Sequence, residues 1–133
     1  CEDHRHYVTI SCGMLDDALA CIALEHRERL LERNLGILLG NKRELERWVA
    51  SEECIDWVSP QAGTTAFLRY DLDLPSAEFA QELFDLNGTF LVPGSEFGWE
   101  RWLRVGFACA PETLRGGLEG LSAYLRRRGS GGR

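Results

Sequence analysis

Leucines recur every seven residues at Leu24, Leu31, Leu38 and Leu45, with Leu35, Trp48 and Val49 on or beside the same stripe. That period predicts one long amphipathic helix over residues 25–52. Between the leucines lie acids and arginines in alternation, among them Glu28, Arg29, Glu32, Arg33, Arg43, Glu44, Glu46 and Arg47. Mixed signs at neighbouring helical positions mark a solvated face, as on a scaffold helix that bridges two regions. Gly36 and Gly40 weaken the middle and suggest a bend. Before this helix, residues 15–24 form a helical run of their own, with Asp16 and Asp17 in the first turn where the helix dipole favours negative charge. Residues 7–11, Tyr-Val-Thr-Ile-Ser, are rich in β-branched side chains and predict an extended segment broken by Gly13.

Further along, the period changes from helical to alternating. Residues 55–58 predict a short strand, and Pro60 to Gly63 a turn. Thr64 to Tyr70 predict a clearer strand, with Thr65 and Phe67 on one face and Ala66, Leu68 and Tyr70 on the other. Leu74-Pro75-Ser76 opens a helix with Ser76 as its N-cap, and Asn87-Gly88 closes it. Strands at 89–92 and 101–108 flank a Pro93-Gly94 turn. A last helix, 112–127, turns Leu114, Leu118, Leu121 and Leu125 inward. The order is long helix, β, β, helix, β, β, helix. It predicts an α+β fold: a small, largely antiparallel sheet with helices on one face, preceded by a long connecting helix.

The chain has 133 residues, enough for one domain with a real core and short for two. Its expected divisions are an extended segment at 1–13 left from a preceding domain, a compact domain at 14–128, and a flexible Gly-Ser tail at 129–133. A first residue of Cys1 and a charged opening suggest a piece of something longer. The net charge of −6 argues against nucleic acid, since phosphate contacts need a basic face. The one basic run, Arg126-Arg127-Arg128, ends a helix, where cations complement the dipole. No apolar stretch approaches the ~18 residues of a membrane span. Five widely spaced cysteines without a C-x-x-C pair read as reduced thiols of a cytoplasmic protein, most of them small buried hydrophobes.

Arg104 carries the most chemical information. On its strand Leu103, Val105 and Phe107 point one way, and Trp102, Arg104, Gly106 and Ala108 the other. A guanidinium between an aromatic ring and a glycine has room above it for a carboxylate gripped by two parallel hydrogen bonds. The alternative is a strand arginine paired with a local acid such as Glu96 or Glu100. The Pro93-Gly94 turn with Phe97-Gly98 reads either as a tight turn or as a rigid loop shaping a pocket. Gly63-Thr64-Thr65 reads as a turn feeding a strand or as a cleft edge. His4 and His6 share a face if extended, but no third ligand accompanies them, so no metal site is assigned. No nucleophile elbow, phosphate loop or dinucleotide fingerprint occurs.

Together, F-L-V-P-G-S-E-F-G at 90–98, W-L-R-V-G-F-A at 102–108 and P-E-T-L-R-G-G-L-E-G-L at 111–121 resemble the C-terminal small domain of class I/II aminotransferases, pyridoxal-phosphate enzymes of fold type I. Tyr7 to Ser11, the long helix and Pro60 to Phe67 fall where that family has counterparts, so the resemblance covers nearly all of residues 5–127. It implies that Arg104 binds the α-carboxylate of an amino-acid substrate. It also implies that Thr64 edges the substrate pocket, and that Tyr7 approaches a partner's site in a homodimer. The implied activity is amino transfer between an amino acid and a 2-oxo acid, with pyridoxal phosphate as cofactor. Elimination, replacement or cyclisation on the same fold is the enzymatic alternative, and a ligand- or partner-binding domain the non-catalytic one. One departure is plain. Lys42 is the only lysine, and it stands between Asn41 and Arg43 on a charged helix face, away from the matching motifs. The family's Schiff-base lysine and the groups that hold its cofactor therefore belong to an N-terminal large domain, and this chain alone is expected to be inactive.

Overall fold

A computed structural model describes residues 13–130. The chain divides into two compact units, with the boundary between Leu35 and Gly36. Helix α1 spans Met14–Glu25 and helix α2 spans Arg27–Ser51, close to the two helices that the periodicity predicts. They are divided at His26, whose N–H donates to the Ile22 carbonyl at 3.1 Å. α2 runs without interruption through Gly36 and Gly40. In the first unit, no residue of α1 is buried. His4, His6, Tyr7 and the extended run at 7–11 lie outside the described residues.

The second unit holds the sheet. Its elements after α2 are β1 (Ile55–Trp57), β2 (Thr65–Tyr70), α3 (Ser76–Asn87), β3 (Val92–Pro93), a 3-10 turn (Gly94–Phe97), β4 (Trp102–Gly106) and α4 (Pro111–Ser130). The strands form one antiparallel sheet in the order β1-β2-β4-β3. Alternation along β2 and β4 sends Ala66, Leu68, Tyr70, Leu103 and Val105 to a buried face, and Phe107 continues it just past β4. Leu45 and Val49 of α2, Phe79 and Leu83 of α3, and Leu114, Leu118 and Leu121 of α4 complete that core. The helices thus cover one face of the sheet, and the α+β architecture is as the sequence predicts. Leu83 and Leu103 are fully enclosed. Truncating either to alanine should cost about 2–5 kcal/mol.

Three local readings need correction. The N-cap of α3 is Pro75, without a side-chain cap; Ser76 is the first helical residue and is fully buried. The Ser76 N–H donates to Glu100 Oε2 at 2.9 Å, so a carboxylate 24 residues away does the capping. An anion there suits the positive end of the helix dipole. The expected strand at 89–92 shrinks to Val92–Pro93, because the Thr89 N–H turns back to Asn87 Oδ1 at 3.1 Å. The cysteines are less buried than expected: Cys21 is exposed, and Cys54 and Cys109 are half-buried, all three as free thiols. The closing of α3 does follow expectation. Gly88 takes φ 74°, a left-handed value that favours glycine, and donates to the Phe84 carbonyl at 2.8 Å.

Asn41 is the one buried amide on α2, and it ties that helix to the end of β4. Its Nδ2 donates to the carbonyls of Phe107 and Cys109, each at 2.8 Å. A second tie joins α2 to α4: Trp48 Nε1 donates to Ser122 Oγ at 2.8 Å, and Ser122 donates in turn to Glu52. These bonds hold the strand that carries Arg104 against its helices.

Candidate functional site

β4 lies inside the sheet, so Arg104 has a strand on each side, with Phe67 of β2 and Val92 of β3 as its register partners. Burying Leu103 and Val105 forces Arg104 onto the opposite, open face together with Trp102 and Gly106. Its guanidinium carbon lies 5.2 Å from the centroid of the Phe97 ring. That is within cation–π range, where the negative face of the ring attracts the cation. Phe97 in turn meets Phe67 edge to face, with centroids 5.3 Å apart. Phe67 leans on Trp102 at 6.3 Å, and Trp102 meets Trp99 at 5.5 Å. The result is an arginine on an aromatic floor, with Phe97 45% and Trp99 58% exposed.

The acids proposed as alternative partners are elsewhere. Glu100 accepts from the Ser76 amide, and the Ser76 amide and hydroxyl together hold its carboxyl below the usual carboxylate range. Arg101 takes the nearby Asp73 at 2.8 Å. Among the described residues, no carboxylate lies within ion-pair distance of Arg104. The structure thus removes the reading of Arg104 as a strand arginine paired with Glu96 or Glu100.

The loop before β4 is built to carry Phe97. Gly94 is buried, and a Cβ on it would stand 2.1 Å from the Trp99 carbonyl oxygen and 2.6 Å from that of Trp102. Only glycine fits so close an approach of backbone to backbone. The Trp99 N–H donates to the Gly94 carbonyl at 2.9 Å, and the Ser95 N–H donates to Ser76 Oγ at 3.0 Å. The tight turn of the sequence reading is present at Gly94–Phe97.

Thr64 is exposed at the Gly106 end of the same strand pair, where its carbonyl accepts the Phe107 N–H at 2.9 Å. Arg104 pairs with Phe67 at the middle of the β2–β4 ladder, and Phe67 is three positions along the chain from Thr64, which lies just before β2. Tyr7, the third predicted site residue, lies outside the described residues. Lys42 is a half-buried residue of α2, ion-paired with Glu46 at 3.4 Å. No group of three or more metal-ligating side chains occurs among the described residues. A separate cavity of about 570 Å³ is lined by Glu82, Asp85, Leu86, Tyr124, Arg127 and Arg128, and shares no residue with the Arg104 face.

Sequence reasoning missed two contributors. Asn41 stands three residues after Leu38 and four before Leu45, on the same buried stripe. A polar residue inside an apolar stripe was the available signal. The Ser76–Glu100 contact had no local signal, because it joins residues far apart in the chain.

The second unit is thus an α+β fold with helices on one face of its sheet and Arg104 on an aromatic floor on the other. The chain's relatives and structure neighbours are fold-type I pyridoxal-phosphate-dependent aminotransferases, and the chain matches a small, C-terminal-like portion of them. It is 34% identical to capreomycidine synthase of Streptomyces vinaceus over 134 residues, covering 96% of this chain and 34% of that protein. A pyridoxal-phosphate-dependent aminotransferase from Streptococcus suis superposes with a TM-score of 0.92 at 40% identity, over 95% of this chain and 34% of the other. The pyridoxal-phosphate-dependent cyclase OrfR superposes with a TM-score of 0.86 at 30% identity, over 95% and 35%. The chain therefore spans about a third of the length of these relatives. No family model matches it. Among the described residues, no helix is long and apolar enough to cross a membrane.

Proposed function

We propose that this chain is the substrate-carboxylate portion of a pyridoxal-phosphate-dependent aminotransferase, with Arg104 as the group that grips the α-carboxylate of the amino acid or 2-oxo acid. The observation that carries the reading is Arg104 itself, on the open sheet face, against Phe97 and with no acid partner among the described residues. A carboxylate there gains two charge-assisted hydrogen bonds in fixed geometry, and so enters with one orientation. Thr64, exposed just before β2, belongs to the proposed pocket.

The residues of this chain do not fit covalent attachment of the cofactor. That needs a lysine, and the single lysine, Lys42, is bound to Glu46 on α2. Cofactor and catalytic lysine are assigned to the remaining two-thirds of a longer protein, which acts as a homodimer in which Tyr7 approaches the partner's site. The arginine and its ring can steady a carboxylate, and the chain alone is inactive.

A second reading keeps site and cofactor but ends in cyclisation of the amino acid. The similarity to capreomycidine synthase and to the cyclase OrfR favours it. Arg104 serves both reactions equally, because it touches the carboxylate and not the bonds that differ.

The test is Arg104→Ala in the full-length protein that carries this chain. Expected are a raised KM, a lowered kcat and a loss of about 3 kcal/mol or more in transition-state stabilisation. An unchanged kcat/KM would remove Arg104 from the site.

A further inference from the structure

We infer that Phe97, held in place by a Ser76–Ser95–Glu100 latch, is a positioning residue that pre-orients the Arg104 guanidinium for its carboxylate. This rests on the reading of Arg104 as the carboxylate-binding group. Arginine loses much rotamer freedom when it is fixed, and a site that fixes it beforehand spares the ligand that cost. Here the fixing group is a ring on a loop, so the loop decides where the guanidinium lies.

The loop is not anchored by the strands alone. Ser76, fully buried at the start of α3, reaches it twice: its hydroxyl accepts the Ser95 N–H at 3.0 Å, and its amide donates to Glu100 Oε2 at 2.9 Å. The two contacts bracket Phe97, one on each side of it in sequence. Phe97 then sits under Arg104 at 5.2 Å and against Phe67 at 5.3 Å. Glu100, an acid near enough in sequence to compete for the guanidinium, is engaged by the same latch. One serine thus holds the ring in place and keeps the acid occupied.

The direct test reads the Arg104 Nε–H signal in nitrogen-15 spectra of the 133-residue chain, where a ring below the guanidinium shifts that proton upfield. Phe97→Leu should abolish the shift, and Phe97→Tyr should retain it. Ser76→Ala and Glu100→Ala should each move the signal toward the ordinary arginine position, with backbone amide dispersion confirming that the variants remain folded. In the full-length enzyme, Phe97→Leu should raise the amino-acid KM about two- to fivefold with kcat little changed, and Phe97→Tyr should restore it. If Ser76→Ala and Glu100→Ala both leave the Arg104 signal in place, the latch has no positioning role. If Phe97→Leu leaves signal and KM unmoved, the ring has none. Failure of Arg104→Ala to alter KM is a separate result: it would overturn the carboxylate reading while the spectra still report the geometry of the latch.

Discussion

Replacing Asn41 tests whether a single buried amide holds the end of the Arg104 strand. Asn41 is 1% exposed, and its Nδ2 is shared between two carbonyls that have left the β2–β4 ladder. Asn41→Ala strands the buried Phe107 carbonyl and the half-buried Cys109 carbonyl. A buried acceptor left without a donor costs about 1–3 kcal/mol, and one that water can reach costs nearer the net value of one hydrogen bond, ~1 kcal/mol. The expected loss is therefore about 2–4 kcal/mol. Asn41→Asp is the sharper variant, since its carboxylate oxygens would face the two carbonyls. Burial and those dipoles raise the folded-state pKa of the new acid above its unfolded value. Its penalty is then smallest below the unfolded pKa and grows as pH rises through the folded pKa. Urea unfolding followed by tryptophan fluorescence isolates the second unit, because all four tryptophans lie beyond Gly36. A stability within ~0.5 kcal/mol of wild type for Asn41→Ala would refute the clamp, that margin being the scatter of neutral surface changes. So would an Asn41→Asp variant with no pH dependence.

Other perturbations probe other parts. Gly94→Ala places a Cβ 2.1 Å from the Trp99 carbonyl oxygen and should destabilise the second unit by about 3 kcal/mol or more; a thermal melt matching wild type would show that the loop yields. Burial and the bond to Glu82 push the Tyr124 hydroxyl up to about 12, and burial pushes Tyr70 up to about 12. These raised values give stability that is fully present below the unfolded tyrosine value of 10 and lost as pH rises toward 12. Phenolate absorbance should therefore show two late steps, one removed by Tyr124→Phe and one by Tyr70→Phe. Leu15, Leu19, Ile22 and Leu24 of α1 are more than half exposed, so the 133-residue chain should self-associate; a strictly monomeric species across concentrations in sedimentation would contradict this.

What the sequence revealed and what it hid follow one physical division. Period-two alternation fixed both faces of β2 and β4, because a strand with one face on a core must sort its side chains that way. The leucine stripe located α2, although only its later part, Leu45 and Val49, is buried while Leu31 and Leu35 are exposed. Ser76 was misread as a cap because serine before a helix usually bonds within the turn, whereas here Pro75 takes the cap position and Glu100 arrives from another loop. The ring beneath Arg104 was hidden too. Phe97 precedes Arg104 by seven residues, and nothing local says that the loop folds back over the strand. Contacts made by periodic elements were legible; contacts made by a loop returning on itself were not.

How an acidic chain keeps one arginine receptive is then a matter of distribution. With 21 acids against 15 basic residues, a cation would ordinarily find an acid. Four of those acids are engaged in defined contacts: Glu100 on Ser76, Asp73 on Arg101, Glu44 on Arg115 and Glu82 on Arg128. Across the open face, the register places Val92, Arg104 and Phe67 in one row, and Arg69 and Trp102 in the next. Asp56 of the edge strand β1 stands opposite Arg69, not Arg104. The net charge of −6 acts from farther away, and salt screens it over about 8 Å. On the proposed reading of Arg104, local arrangement more than overall charge would set which ligand this face takes.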